Sequence, residues 1–194
     1  MGEAARNYPY TIAEYLEIEK NSLEKYEYHV GEVFAMAGGT LNHGLLSNNA
    51  GRSVSNAIIK KGKSCRTYSS DAKIAISDKR YVYADTFVIC GKTETYEEMP
   101  QAAKNPILIV EVLSGSTALY DREDKFQLYQ QIVSLQEYIL VSQDKVLVEV
   151  FYKSIEVDFW QYRSYRNLTD SISLKSLDVE ITLNEIYLGS EIIV

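Results

Sequence analysis

The sequence predicts an α/β domain, a mixed central β-sheet flanked by helices, with an added N-terminal hairpin and further C-terminal strands. Three observations predict it. The first is scale: 194 residues with 46% hydrophobic and 24% charged side chains, 10 Gly and 3 Pro suit one globular domain and exclude a disordered or low-complexity chain. The second is a pair of runs, Tyr81 to Cys90 and Pro106 to Leu113, apolar at nearly every position as strands covered on both faces are. The third is that strand-like runs alternate with helical periodicity in the order α, β, β, long α, β, β, β, α, β, β. No internal repeat or Pro/Gly/Ser-rich linker divides the chain, so residues 1–194 are expected to form a single domain.

Thr11 and Glu14 make a capping box ahead of Ile12, Tyr15 and Leu16, which places a short helix at about 12–20. Tyr26, Tyr28, Val30 and Phe34 suggest strands turning near Gly31, and Gly38-Gly39 ends them. Leu41, Leu45, Leu46, Ala50, Val54, Ala57 and Ile58 recur at helical spacing up to Lys60, Lys61 and the stop at Gly62, giving a long helix over 41–61. Strands are expected at Cys65 to Ile76, Tyr81 to Cys90 and Pro106 to Leu113, followed by a helix at about Asp121 to Val133 with acidic residues at its start. Glu137 to Val141 and Val146 to Tyr152 read as a hairpin, and Val157 to Tyr165 as a further strand. The segment from Ile181 to Val194 fits a short helix or a strand equally well.

Several function classes drop out. No uncharged apolar run approaches the roughly 20 residues that span a bilayer, and the N-terminal residues lack an apolar signal core, so a cytoplasmic protein is expected. Two cysteines, Cys65 and Cys90, are too few for a zinc site and are expected to be buried free thiols. The formal charge of −7 argues against a surface that binds nucleic acid all over. The segment from Arg52 to Arg80 is nonetheless locally +6, and Arg52, Lys60, Lys61, Lys63 and Arg66 within it are candidate phosphate contacts. Lys60 and Lys61 also suit the negative end of a helix dipole.

Two carboxylates interrupt apolar strands. Asp85 lies within Tyr83-Ala84-Asp85-Thr86-Phe87 and Glu111 within Ile109-Val110-Glu111-Val112-Leu113. An ionised carboxylate in a covered strand costs several kcal/mol unless a cation or hydrogen bonds meet it. Adjacent strands with matching faces bring the two together, and oxygen ligands of that kind favour Mg²⁺ or Mn²⁺ over zinc. Lys125 shares a helical face with Leu128, Tyr129 and Ile132, so its stem is expected to lie toward the core. Solvated alternatives exist for each residue taken singly: a strand end for the carboxylates, a snorkelling stem for the lysine.

The constellation of Ala84-Asp85, Glu111 on the next strand and Lys125 on the following helix resembles the PD-(D/E)XK nuclease superfamily, and more narrowly the Uma-type restriction-endonuclease family. Matching stretches are Tyr10 to Tyr15, Tyr26-Glu27 with Gly31 to Val33, Asn42-His43, Tyr68 to Lys73, Tyr83 to Asp85, and Ile109 to Ser114 with Ser116-Thr117, Asp121, Lys125 and Tyr129. The resemblance implies a restriction-endonuclease-like core. In it Asp85, Glu111 and the Val112 carbonyl hold Mg²⁺, with Mn²⁺ as a substitute, Lys125 assists, DNA is the substrate and a homodimer is the working form. Leu113 stands where the superfamily usually has its lysine, which moves that role to Lys125 with Lys73 as the competing candidate, and Ala84 replaces the usual proline. Supporting candidates are Glu27 as a further acidic group, His43 near a phosphate, Asp71 along the cleft, and Asp121 as a helix cap or a partner of Lys125. The alternative is a nuclease-fold DNA-binding or protein-interaction module without cleavage. Motifs for nucleotide hydrolysis, zinc proteolysis and serine esterase chemistry are absent from the sequence. A two-carboxylate glycosidase would not need Lys125, and Trp160 offers little sugar-stacking surface.

Overall fold

A computed structural model describes residues 9–36, 38–115, 118–154 and 159–192. Helix α1 (Ile12–Lys20) starts at the reciprocal capping box of Thr11 and Glu14. The hairpin of β1 (Tyr26–His29) and β2 (Glu32–Ala35) turns at Val30 and Gly31, both at positive φ. A side chain at Gly31 would strike Pro9 at 2.4 Å, so glycine is required there. Helix α2 (Leu41–Lys61) is capped by the Thr40 hydroxyl, which accepts from the His43 amide, and is closed by left-handed Gly62.

The remaining elements are β3 (Cys65–Ser69), β4 (Lys73–Ser77), β5 (Arg80–Tyr83), β6 (Thr86–Cys90), β7 (Ala102–Ala103), β8 (Leu108–Leu113), α3 (Ala118–Arg122), α4 (Asp124–Tyr129), β9 (Glu137–Ser142), β10 (Val148–Lys153), β11 (Trp160–Tyr165), β12 (Ser171–Leu174), β13 (Val179–Thr182) and α5 (Leu183–Ile186). The six-stranded sheet runs β11-β10-β9-β8-β6-β3, antiparallel except for β8 with β9. A five-stranded sheet, β2-β1-β5-β4-β7, stands beside it, and β12-β13 form a separate hairpin.

Both faces of the larger sheet are covered. Val110 and Val112 of β8 pack with Leu46, Ala50 and Val54 of α2 and with the β12-β13 hairpin. Ile109 and Leu113, pointing the other way, pack with Phe126 and Tyr129 of α4 and with Ile74 and Val82 of the smaller sheet. Burial on both sides is why the run from Leu108 to Leu113 is apolar at every position but one.

Four expectations need correction. The runs 65–76 and 81–90 are not single strands: each breaks, at Ser70–Ala72 and at Ala84–Asp85, because the chain passes from one sheet to the other. Asp85 therefore sits at a bend between β5 and β6, where a polar side chain is readily accommodated. The helix expected over 121–133 is two short helices parted at Glu123, whose φ of −107° and ψ of −83° are not helical, and Val133 is fully exposed. Cys65 and Cys90 are not free thiols; register sets them directly opposite on antiparallel β3 and β6, and they form a disulfide. Of the strand expected over 157–165, residues 157 and 158 lie outside the described set and β11 supplies the rest. The segment beginning near Ile181 resolves into the end of β13 and α5. The resemblance at Ser116-Thr117 also lies outside the described residues.

Candidate active site

The bend at Ala84–Asp85 places Asp85 beside the end of β8. Its Oδ2 accepts from the Val112 amide at 2.7 Å, while its own amide donates to Glu111 Oε2 at 3.3 Å. Glu111 thus takes the Asp85 amide and Asp85 the amide of the residue after Glu111, although the bend, not a shared strand face, brings the two carboxylates together. Glu111 is 4% exposed. Its Oε1 accepts from the Tyr129 hydroxyl at 2.7 Å and lies 2.9 Å from Lys125 Nζ. Lys125 is also 3.8 Å from Asp121 Oδ1, across the break between α3 and α4. Asp121 is buried within α3 and faces Lys125, so its place is that of a partner and not of a helix cap.

Burial pushes the Glu111 carboxyl up to about 7; Lys125 draws it back down, and Asp85 and Asp121 push it further up. Burial works against the charge of Lys125, yet Glu111, Glu27 and Asp121 together raise the ammonium group above the ordinary lysine range. The lysine stays cationic while its carboxylate partner is poised near neutrality. His43 Nε2, one turn into α2, is 3.3 Å from Asp85 Oδ2. That hydrogen bond raises its pKa, burial opposes it, and the charges of Asp85 and Glu111 and the Val112 backbone add to the rise. Glu27 is partly buried; burial alone would raise its carboxyl, but His29 foremost, then Lys125 and the Tyr83 amide, hold it below the usual range.

Glu27, His43, Asp85, Glu111, Asp121 and Lys125 therefore line one cleft of about 1330 Å³ between α2, the N-terminal hairpin and the ends of β3 and β8. Lys73 lies elsewhere: buried under the rings of Tyr15 and Tyr83, it pairs with Glu19. Asp71 is exposed in the turn between β3 and β4 and pairs with Lys25 at 2.6 Å. The basic segment is divided. Arg52 lines the cleft, its Nη2 donating to Asn49 Oδ1 at 2.9 Å. Lys60 and Lys61 sit about 26 Å along the helix axis from His43, at 1.5 Å per residue; Lys63 follows the helix stop at Gly62, and Lys61 and Lys63 share Asp178. Arg66 donates to the Gly91 carbonyl at the far end of β3.

Tyr129 is the site residue to which sequence reasoning gave no role. Its signal was present, since it follows Lys125 by four positions on one helical face, but a tyrosine there reads first as core. Among the described residues no group of three or more His, Cys, Asp or Glu is arranged to hold a metal ion. The carboxylates brought together at the bend are those of Asp85 and Glu111. No helix among the described residues is long and apolar enough to cross a membrane.

Comparison with known proteins identifies the family and the fold. Two uncharacterized proteins of Synechocystis sp. (strain PCC 6803) are similar. One is 36% identical over 177 residues, 91% of this chain and 90% of the relative. The other is 36% identical over 144 residues, 74% of this chain and 80% of the relative. A crystal structure from Anabaena variabilis, described as a putative nuclease belonging to DUF820, superposes with a TM-score of 0.70 over 92% of this chain and 98% of the other. At 14% identity that likeness speaks for the fold alone. Residues 12–184 match the model of the family Uma2, described as "Putative restriction endonuclease". With a family match over most of its length and a restriction-endonuclease-like fold, the chain belongs to the Uma2 family.

Proposed function

We propose that the protein is a divalent-metal-dependent endonuclease that hydrolyses DNA phosphodiester bonds at the cleft around Asp85, Glu111 and Lys125. The observation that carries this reading is the buried juxtaposition of two carboxylates with a fixed ammonium group at the floor of a large open cleft. The donor chemistry suits a hard cation: Mg²⁺ takes one or two protein carboxylates and keeps several waters, so Asp85, Glu111 and the Val112 carbonyl are a sufficient set. Mn²⁺ fits the same oxygens. Bound there, such an ion supplies a water of lowered pKa and neutralises phosphate charge.

The chain's own groups do the rest. The Val112 amide fixes Asp85, and the Tyr129 hydroxyl fixes Glu111, so neither carboxylate needs to reorganise. Lys125, held between Glu111 and Asp121, directs positive charge at the position where charge builds on the phosphoryl oxygens. His43, kept protonated more readily by Asp85, stands at the N-terminal end of α2 where a phosphate oxygen can accept from it. A homodimer as the working form would bring two such sites to one DNA molecule.

A Mn²⁺ titration by calorimetry tests the metal part. Asp85→Ala and Glu111→Ala are expected to abolish the binding heat while circular dichroism shows them folded; titrations unchanged from wild type overturn the site.

A further inference from the structure

One half of α2 does not face the core. His43, Gly44, Ser47, Asn48, Arg52 and Ser55 lie along it and line the cleft, forming a track that leads away from the carboxylates. The opposite half of the helix buries Leu46, Asn49, Ala50, Ser53, Val54 and Ile58. A side chain at Gly44 would meet nothing within 4 Å. Glycine there widens the track and answers no packing need.

The charge along this track is not that of a duplex-binding groove. The lysines and arginines lining the cleft among the described residues are Lys25, Arg52 and Lys125, with His43 beside Asp85 as a titratable cation, against Glu24, Glu27, Asp85, Glu111 and Asp121. Lys25 is engaged by Asp71 and Lys125 by Glu111, which leaves Arg52 as the cation offered to a ligand beyond the carboxylates. Arg52 is held in place: Asn49, 2% exposed, donates to the carbonyls of Ile186 and Leu188 and presents its Oδ1 to the guanidinium. On the α2 side of the sheet β3 contributes Thr67, whose buried hydroxyl has no hydrogen-bond partner among the described residues, while Tyr68 points to the opposite face and stacks on Phe87. Duplex DNA is bound by many cations set against both backbones. Neutral hydroxyls and amides with one cation, and the exposed rings of Phe34 and Tyr120 elsewhere on the cleft wall, suit the sugars and bases of an unpaired strand.

We infer that the cleft engages single-stranded nucleic acid along α2, with Arg52 holding a phosphate of the same strand about 13 Å from His43, at 1.5 Å per residue. This rests on the nuclease reading of the carboxylate site and names its substrate form: an unpaired strand, as in a flap, a tail or an opened duplex. Arg52 is a positioning residue in this account, acting on the strand and not on the reacting phosphate.

Fluorescence anisotropy in calcium chloride with a labelled strand of about a dozen nucleotides, alone and annealed to its complement, tests the inference apart from cleavage. The single strand is expected to bind at least about tenfold more tightly than the duplex, the scale of one to two stacked bases. Arg52→Ala is expected to reduce the slope of log K against log salt by about 0.7, one single-strand phosphate contact, while Arg52→Lys keeps the slope. Lys175→Ala, on the remote hairpin, serves as the control. Duplex binding as tight as the single strand, or an Arg52→Ala slope equal to wild type, overturns the proposal. Failure of the nuclease reading has a different signature: single strands bind with the expected slope but are not cut in Mg²⁺.

Discussion

In the metal-free protein the Glu111 carboxyl costs stability at neutral pH, and the cost is measurable. Its pKa is about 7 in the folded chain, where burial and the nearby Asp85 and Asp121 outweigh Lys125, against an ordinary carboxylate value near 4.5 when unfolded. Because the folded value is the higher, the folded state holds the proton longer. The contribution to stability is full below about pH 4.5 and is lost as pH rises through about 7. Between about pH 5.5 and about pH 8 the loss amounts to about 2 kcal/mol. Lys125, raised from an ordinary value of 10.5, titrates outside this window. Glu111→Gln removes the titration, so in EDTA the difference in unfolding free energy between wild type and variant should shrink by about 2 kcal/mol over that range. The variant also loses part of its partnership with Lys125, which is why the change with pH, and not the absolute stability, is the quantity to read. Urea unfolding at a series of pH values measures it. Parallel curves for wild type and variant would refute the placement of Glu111 as a buried carboxyl poised near neutrality.

Four further outcomes are expected. Lys125→Met should keep Mn²⁺ binding and lower DNA turnover by about 10²–10³-fold, the scale of one preorganised charge; turnover within a fewfold of wild type removes Lys125 from the site chemistry. In Asp85→Asn the imidazole of His43 loses the carboxylate that raises its pKa, so its NMR titration in EDTA should move downward, and an unmoved midpoint contradicts the hydrogen bond. Glu137→Ala removes the buried carboxylate that accepts from the amides of Lys175 and Ser176 and should cost about 3 kcal/mol in urea unfolding. Stability within about 0.5 kcal/mol of wild type, the range of neutral surface changes, contradicts that anchoring. The disulfide closes a separation of 25 residues, so Cys65→Ser is expected to cost about 3 kcal/mol on chain entropy; two thiols titrating in the unreduced protein would show the bond unformed.

Patterning made the frame legible. The two apolar runs identified strands covered on both faces, the helical spacing from Leu41 to Ile58 identified α2, and Thr11 with Glu14 marked the start of α1. Which sheet a strand joins could not be read from such patterns. The run from Tyr81 to Cys90 is apolar on both sides of its break because both halves are buried, so the handover at Ala84–Asp85 shows only as the polar pair Asp85-Thr86, which a single strand carrying a buried carboxylate would show equally. The same blindness to pairing explains the cysteines: their opposition depends on the register of β3 against β6, which neither strand encodes alone.

The site was legible where polarity interrupts an apolar pattern, as it does at Asp85, Glu111 and Lys125. It was not legible where charge is neutralised across the fold. Lys73 and Lys125 are alike as lysines set among apolar neighbours, and only the tertiary structure shows that one pairs with Glu19 and the other with Glu111. The locally basic segment from Arg52 to Arg80 likewise looks continuous along the chain, whereas α2 carries its lysines to the end remote from the carboxylates, where Asp178 meets two of them.

The most direct test of the account is incubation of supercoiled plasmid and of single-stranded circular DNA with the wild-type protein in Mg²⁺ or Mn²⁺, with EDTA and Glu111→Ala as parallel controls. Cleavage that requires both the metal and Glu111 is the predicted result. Cleavage that persists in Glu111→Ala, or an absence of cleavage on both forms by a protein that still binds Mn²⁺, would contradict it.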